Sequence, residues 1–270
     1  VPHPRRGVAL SGRPRVSLRV TMLGSGTSSG VPVIGCSCPV CTSPNPRNRR
    51  FRAGLKIEFD DRVLLVDTPT DLRQQALRFG LPRLDAILFT HAHADHIFGL
   101  DDVRIFNFRQ RRSIPCYGSR QTLAALRQTF SYVFEKDEPG GGKPRLDLVE
   151  IEGAIDLFGR RFEPIPVLHG RLPVNGYRCG GFAYVTDCSY IPEASWPLLE
   201  GLDALILGAL RYRAHPTHFS VEQAIAVARR AGAGRTYFTH LAHEVDHDLP
   251  RVPLPAGIDF GYDGLVLDLA

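Results

Sequence analysis

The stretch Thr90-His91-Ala92-His93-Ala94-Asp95-His96 places three imidazoles and one carboxylate within six residues. Donors packed this closely repel one another or stay unpaired unless a cation sits among them. Imidazole and carboxylate together suit Zn, Mn, Fe or Ni better than Mg or Ca. If the loop stays extended, His91, His93 and Asp95 share one side and His96 turns to the other, an arrangement that can feed two adjacent metals. Three single residues further along, His169, Asp187 and His240, each follow an apolar run. Alone, each reads as a cap or a polar core residue. In the order His-x-His-x-Asp-His, His, Asp, His they complete the donors of a binuclear site. Cys36-Ser37-Cys38-Pro39-Val40-Cys41 offers three more donors, one short of the four that tetrahedral structural zinc takes.

These donors need rigid elements beneath them, and strand ends can aim several side chains at one point. Alternation and β-rich composition predict strands over 17–23, 55–59, 63–66, 85–90, 146–151, 155–158, 161–168, 182–186, 202–207 and 236–239. Asp60-Asp61 turns a hairpin between the second and third of these. Periodicity predicts helices over 72–79, opened by Asp71 and stopped by Gly80, and over 122–134. A capping box of Ser220 and Gln223 opens another, running to Ala231. Gly140-Gly141-Gly142 reads as a loop. Strands first, then strands mixed with helices, in two halves of similar size, suits two sheets packed face to face with helices outside.

Composition bounds the rest. The chain has 270 residues, of which 43% are hydrophobic, and a formal charge of +5. The predicted organisation is a mobile N-terminal arm over 1–15 and a single domain over 16–270. No apolar run approaches the roughly 20 residues that span a bilayer, and the arm lacks the apolar centre of a secretory signal. The mild basic excess fits an anionic substrate, but Arg is spread over the whole chain, which reads first as a solvated basic surface and is no evidence for a nucleic-acid groove. The clustered cysteines point to metal in a reducing compartment, hence a cytoplasmic protein.

The donor order over 91–96, with His169, Asp187 and His240, resembles the metallo-β-lactamase superfamily of hydrolases, from about Ser17 to the C-terminus. The resemblance implies an α/β fold, the αββα four-layer sandwich of that superfamily. It implies a first metal at His91, His93 and His169, a second at Asp95, His96 and His240, and Asp187 bridging the two. Asp95 then belongs to both the ligands and the catalytic groups. Two such dications share a hydroxide and lower its pKa towards neutrality. Asp67-Thr68 is expected to brace the metal loop by hydrogen bonds. Relatives usually carry Gly next, where this chain has Pro69-Thr70.

With His240 anchored at the metals, His243 is the best fourth donor for Cys36, Cys38 and Cys41. The Cys trio with Thr239-His240-Leu241-Ala242-His243 resembles the PhnP-like phosphoribosyl 1,2-cyclic phosphodiesterases, in which the second His serves a structural zinc. The same resemblance implies that His218, in His215-Pro216-Thr217-His218, protonates the leaving oxygen. The alternatives are a helix cap at His218, or His215 as the acid. Cys116, Cys179 and Cys188 are expected to be buried and inert. The loop 24–30 is open to two readings, a phosphate cradle of backbone N–H groups or a tight turn. Arg104 is set either to reach an anion or to pair with Asp101.

The expected function is therefore a binuclear metal-dependent phosphodiesterase acting on a small cyclic or nucleotide-like phosphodiester. Its cofactors would be two catalytic divalent metals, Mn, Zn, Fe or Ni, and one structural Zn. Homodimers are common among similar enzymes. The alternatives are tRNA 3′ processing, for which no basic arm is visible, thioester hydrolysis, and a non-catalytic metal-stabilised binding or biosynthetic accessory protein. Pyrroloquinoline quinone accessory proteins resemble the Cys cluster and keep the last alternative open.

Overall fold

A computed structural model describes residues 18–135 and 142–270. The predicted arm over 1–15, and Gly140 and Gly141 of the glycine run, lie outside the described residues. Within them, two mixed seven-stranded sheets form. The first holds β1 (Leu18–Gly24), β2 (Gly54–Phe59), β3 (Arg62–Val66), β4 (Ala86–Leu88), β5 (Ile114–Gly118) and β6 (Leu146–Glu150). The second holds β7 (Ile155–Leu157), β8 (Arg160–His169), β9 (Leu172–Cys179), β10 (Phe182–Val185), β11 (Ala204–Gly208), β12 (Arg235–Thr239) and β13 (Ile258–Phe260). The last strand, β14 (Val266–Leu269), returns to the first sheet and pairs with β1.

Alternation decides which face each strand buries. In the second sheet Phe182, Tyr184 and Ile206 meet Val20, Met22, Leu64 and Val66 of the first sheet. The intervening Ala183, Val185, Leu205 and Leu207 pack outward against Val221, Ile225 and Ala228 of the helix Val221–Ala231. Strands buried on both faces read as continuous apolar runs. On the outside of the first sheet, Leu65, Ile87 and Cys116 are covered by Leu72, Phe106, Leu123 and Leu126. The helices are α1 (Leu72–Phe79), α2 (Ala94–Ile97), α3 (Arg104–Gln110), α4 (Arg120–Thr129), α5 (Ser131–Phe134) and α6 (Val221–Ala231). The result is the expected four-layer αββα sandwich. No described helix is long and apolar enough to cross a membrane.

What matters for function is strand direction. β3, β4 and β5 run parallel in one sheet, and β10, β11 and β12 in the other. Their C-terminal ends therefore open onto loops at one edge of each sheet.

Some elements differ from expectation. The helix predicted over 122–134 starts two residues earlier, at a Ser119 cap, and breaks at Phe130 (φ −110°, ψ 44°) so that its ring enters the core. Asp71 stands at the N-cap of α1 but does not cap it, because its carboxylate accepts from Arg52 N and Nη1 instead. β5 and β9 were not expected, since Pro115, Pro173 and Gly176 interrupt their patterns. At Gly176 only glycine fits: a Cβ would lie 2.6 Å from Tyr184 O. The capping box of α6 forms as expected, and Gly232 ends the helix at φ +63°.

Candidate metal centre

Four strands deliver the predicted donors to one place. His91 and His93 follow β4, His169 ends β8, Asp187 lies two residues past β10, and His240 directly follows β12. One nitrogen each of His91, His93 and His169 lie within 4.8 Å of one another, and so do the donor atoms of Asp95, His96, Asp187 and His240. Asp187 reaches both groups. Its Oδ2 is 3.9 Å from His91 Nε2 and 3.3 Å from His240 Nε2, and its Oδ1 is 3.3 Å from His96 Nε2.

The expectation of an extended loop fails at Ala94. His96 N donates to His93 O and Phe98 N to Ala94 O, which winds Asp95 and His96 into α2. That turn separates Asp95 from His91 and His93 and brings it to His96 and His240, each 3.4 Å away.

A hydrogen-bond network sets the tautomers. Asp67 accepts from Thr90 N and Thr90 Oγ1, both at 2.8 Å, and from His96 Nδ1 at 2.7 Å. Since Thr90 spends its hydroxyl hydrogen on Asp67, the contact at 3.0 Å is His91 Nδ1–H donating to Thr90 Oγ1. His169 Nδ1 likewise donates to Thr217 O at 2.7 Å. All three rings keep Nε2 as the remaining position for a metal. His91 Nε2 and His96 Nε2 are buried and have no hydrogen-bond partner among the described residues.

Buried polar atoms without partners are costly, and these fit a cation. Ligands 2.0–2.2 Å from a tetrahedral metal stand about 3.4 Å apart. The 3.3–3.4 Å separations among Asp95, His96, Asp187 and His240 match that spacing.

The charges agree. Burial and the neighbouring His96 push His91 well below the ordinary imidazole pKa, so it is neutral with a pair to donate. Burial opposes charge on Asp187, but His240, His96 and His91 outweigh it and hold the carboxyl well below its usual range. Burial also opposes charge on His96, yet Asp187 and Asp67 keep its pKa well above normal. A divalent cation held by His96 would take the place of that proton.

Backbone strain accompanies the site. Asp67 (φ +64°), Asp187 (φ +48°) and His240 (φ +59°) all sit just past strand ends in a region that non-glycine residues avoid. Such strain costs about 1–3 kcal/mol per residue and persists only where the surroundings over-determine it.

The cysteine cluster lies nearby. His243 Nδ1 is 3.3 Å from Cys36 Sγ and 3.5 Å from those of Cys38 and Cys41. A tetrahedral zinc with Zn–S of 2.3 Å and Zn–N near 2.05 Å sets S and N about 3.6 Å apart, so the four donors fit one ion. Burial opposes a thiolate at Cys38, but Cys41 N–H and the neighbouring thiols and His243 bring it down to about 6. The buried Arg50 ties this loop to the C-terminal segment, donating to Ala242 O and Val245 O. Only Leu241 and Ala242 separate His243 of the cysteine site from His240.

His218 stands at the rim, its ring 4.5 Å from that of His169 and 4.8 Å from that of His240. Burial and His240 push its pKa down to about 3. His215 is one step further out, its Nδ1 engaged by Thr217 N and Oγ1.

In the loop over 24–30 the N–H groups of Ser25, Gly26, Thr27 and Gly30 are spent on Asp263, Phe51, Leu241 and Thr27, which favours the tight turn. Arg104 pairs with Asp101. Cys116, Cys179 and Cys188 are buried, and burial raises all three thiols, Cys179 to about 11. Sequence reasoning missed Thr90, Thr186, which donates to Asp187 Oδ1 at 2.7 Å, and the carbonyl of Thr217. The threonines carry no signal beyond adjacency to a donor, and a carbonyl carries none.

Comparison with known proteins comes to the same place. The profile of the Beta-lactamase superfamily domain matches residues 62–241. An octanoyltransferase of Porphyromonas gingivalis is 39% identical over 92% of this chain, and the chain spans about half (51%) of that protein's length. Coenzyme PQQ synthesis protein B of Methylobacterium radiotolerans is 26% identical, over 70% of this chain and 72% of that protein. Among solved structures, a diphosphatase from the PhnP family superimposes with a TM-score of 0.88 at 43% identity, covering 94% of this chain and 97% of that one.

Proposed function

The chain belongs to the beta-lactamase superfamily as a PhnP-like, metal-dependent hydrolase, and from that premise we propose that it hydrolyses a small anionic phosphodiester, cyclic or nucleotide-like, at a pair of divalent metals. The observation that carries this reading is the placement of Asp187 within 3.9 Å of donors from both groups. His91, His93 and His169 would hold one metal, and Asp95, His96 and His240 the other, with Asp187 common to both. When bound, the metals supply charge for the phosphoryl oxygens and a water acidic enough to attack near neutral pH. The donors suit Mn or Zn, with Fe and Ni within the same chemistry.

The residues do the remaining work. Asp67 and the Thr217 carbonyl fix the rings of His96 and His169, so neither donor must reorganise during reaction. His218, beside His169 and His240, would stand by the departing ester oxygen. Its low pKa in the free site rises when a phosphate brings negative charge alongside, and it then delivers its proton to that oxygen. Cys36, Cys38, Cys41 and His243 would hold a structural zinc. The free thiols support a reducing, cytoplasmic setting.

The test is hydrolysis of bis(p-nitrophenyl) phosphate by chelator-treated protein with Mn restored, beside a cyclic phosphodiester and a nucleoside diphosphate. His91→Ala, His93→Ala and Asp187→Ala are each expected to lower the rate by roughly 100-fold or more. Rates unchanged in all three reject the reading.

A further inference from the structure

We propose that His218 is a displaceable metal ligand, which binds the metal shared by His169 and Asp187 while substrate is absent and leaves when a phosphate arrives. This rests on the reading that His91, His93 and His169 hold a metal. Donor atoms of His169, Asp187 and His218 lie within 4.8 Å of one another, a third grouping beside the two already described. His218 Nδ1 is 4.0 Å from Asp187 Oδ2, and His91 Nε2 stands 3.9 Å from the same oxygen. By distance, His218 faces this carboxylate as a ligand does.

The backbone holds it there. Thr217, just before it, accepts the hydrogen bond of His169 Nδ1 at 2.7 Å. Phe219, just after it, donates its N–H to Cys188 O at 2.7 Å, one residue beyond Asp187. His218 is thus pinned on each side to the neighbourhood of the two groups it would join. Its side chain is only 13% exposed, and it has no hydrogen-bond partner among the described residues. A half-buried imidazole with no protein partner is free to turn a nitrogen to a metal.

His169 decides that this is no separate ion site. With Nδ1 on Thr217, it has one lone pair, at Nε2, and cannot serve two cations. His218 therefore extends the His91, His93, His169 group. His215 belongs to none of these donor groupings. The two roles of His218 are then successive: it occupies the metal's open position at rest, and is free beside the leaving oxygen once phosphate displaces it.

Cobalt(II)-loaded protein tests this without turnover. His218→Gln and His218→Ala are expected to change the visible cobalt band and to release cobalt to a chelator roughly tenfold faster or more. Inorganic phosphate should shift the wild-type spectrum towards that of His218→Gln, and should bind the variant several-fold more tightly because no ligand need leave. Identical spectra, release rates and phosphate affinities in wild type and both variants overturn the proposal while leaving the metal pair standing. A wild-type protein that takes up no cobalt at the histidines overturns the metal reading itself, and this inference with it.

Discussion

Asp67 Oδ2 lies 2.7 Å from His96 Nδ1, and both side chains are wholly buried. The same carboxylate takes both hydrogens of Thr90, so one group orients the donors on either side of the metal loop. An asparagine here would turn an N–H towards a donor it cannot accept from. Asp67→Asn is therefore expected to weaken metal binding about 10–100-fold, measured by competition with a chelating dye. Unchanged affinity would show that Asp67 braces the loop without tuning its ligands.

That relationship also marks what was readable in the chain. The run from His91 to His96 is legible because its donors are adjacent, and His169, Asp187 and His240 because each follows a strand. Which donors group together is less legible: Asp95 joins His240 only because α2 winds at Ala94, where the alternation suggested an extended loop. The tautomer of His169 depends on the carbonyl of Thr217, 48 residues away, and any residue has a carbonyl. β9 escaped because Gly176 is what its crowded position beside Tyr184 requires, and together with Pro173 it mimics a turn.

The cysteine site is expected to matter beyond its own loop. Cys38→Ser should remove one equivalent of zinc by metal analysis. A loss of about 3 kcal/mol, the upper end for common substitutions, lowers Tm by roughly 6–12 °C in a chain of this size. Because His243 is three residues from His240, affinity at the histidine site should fall as well. A variant with normal Tm and one fewer zinc would mean that the ion is bound but does not hold the fold.

Asp85 governs stability in acid. Its buried carboxylate accepts from Arg83 Nη2 at 2.7 Å and from Val63 N at 2.9 Å, with Arg112 alongside. Burial alone would raise its pKa, but these donors, Arg83 foremost, hold it below the ordinary 3.8. As pH falls, the unfolded chain takes up this proton before the folded one does. The stabilisation is thus complete above about pH 4 and is lost as pH drops through the folded value. Asp85→Asn should cost about 3 kcal/mol at pH 7, read as a lower urea midpoint. The difference from wild type should narrow below pH 4, and a constant difference from pH 7 to 3 would remove the carboxylate from the acid transition.

Gly170 separates a positioning effect from a stability effect. Its φ is +64°, and a Cβ there would meet Thr217 Cγ2 at 2.8 Å. Thr217 is β-branched and stiff, so Gly170→Ala should displace the 217 backbone and with it the acceptor of His169 Nδ1. The expected outcome is a loss of metal affinity of roughly tenfold, together with about 1–2 kcal/mol of stability from the left-handed backbone. Thr217→Ser deletes Cγ2 and keeps the hydroxyl that meets His215. The double variant should therefore regain metal affinity while staying less stable by the same 1–2 kcal/mol, since the backbone strain remains. If affinity does not recover, the contact with Thr217 is not how residue 170 reaches the metal site. If stability recovers too, the crowding, and not φ, was its cost.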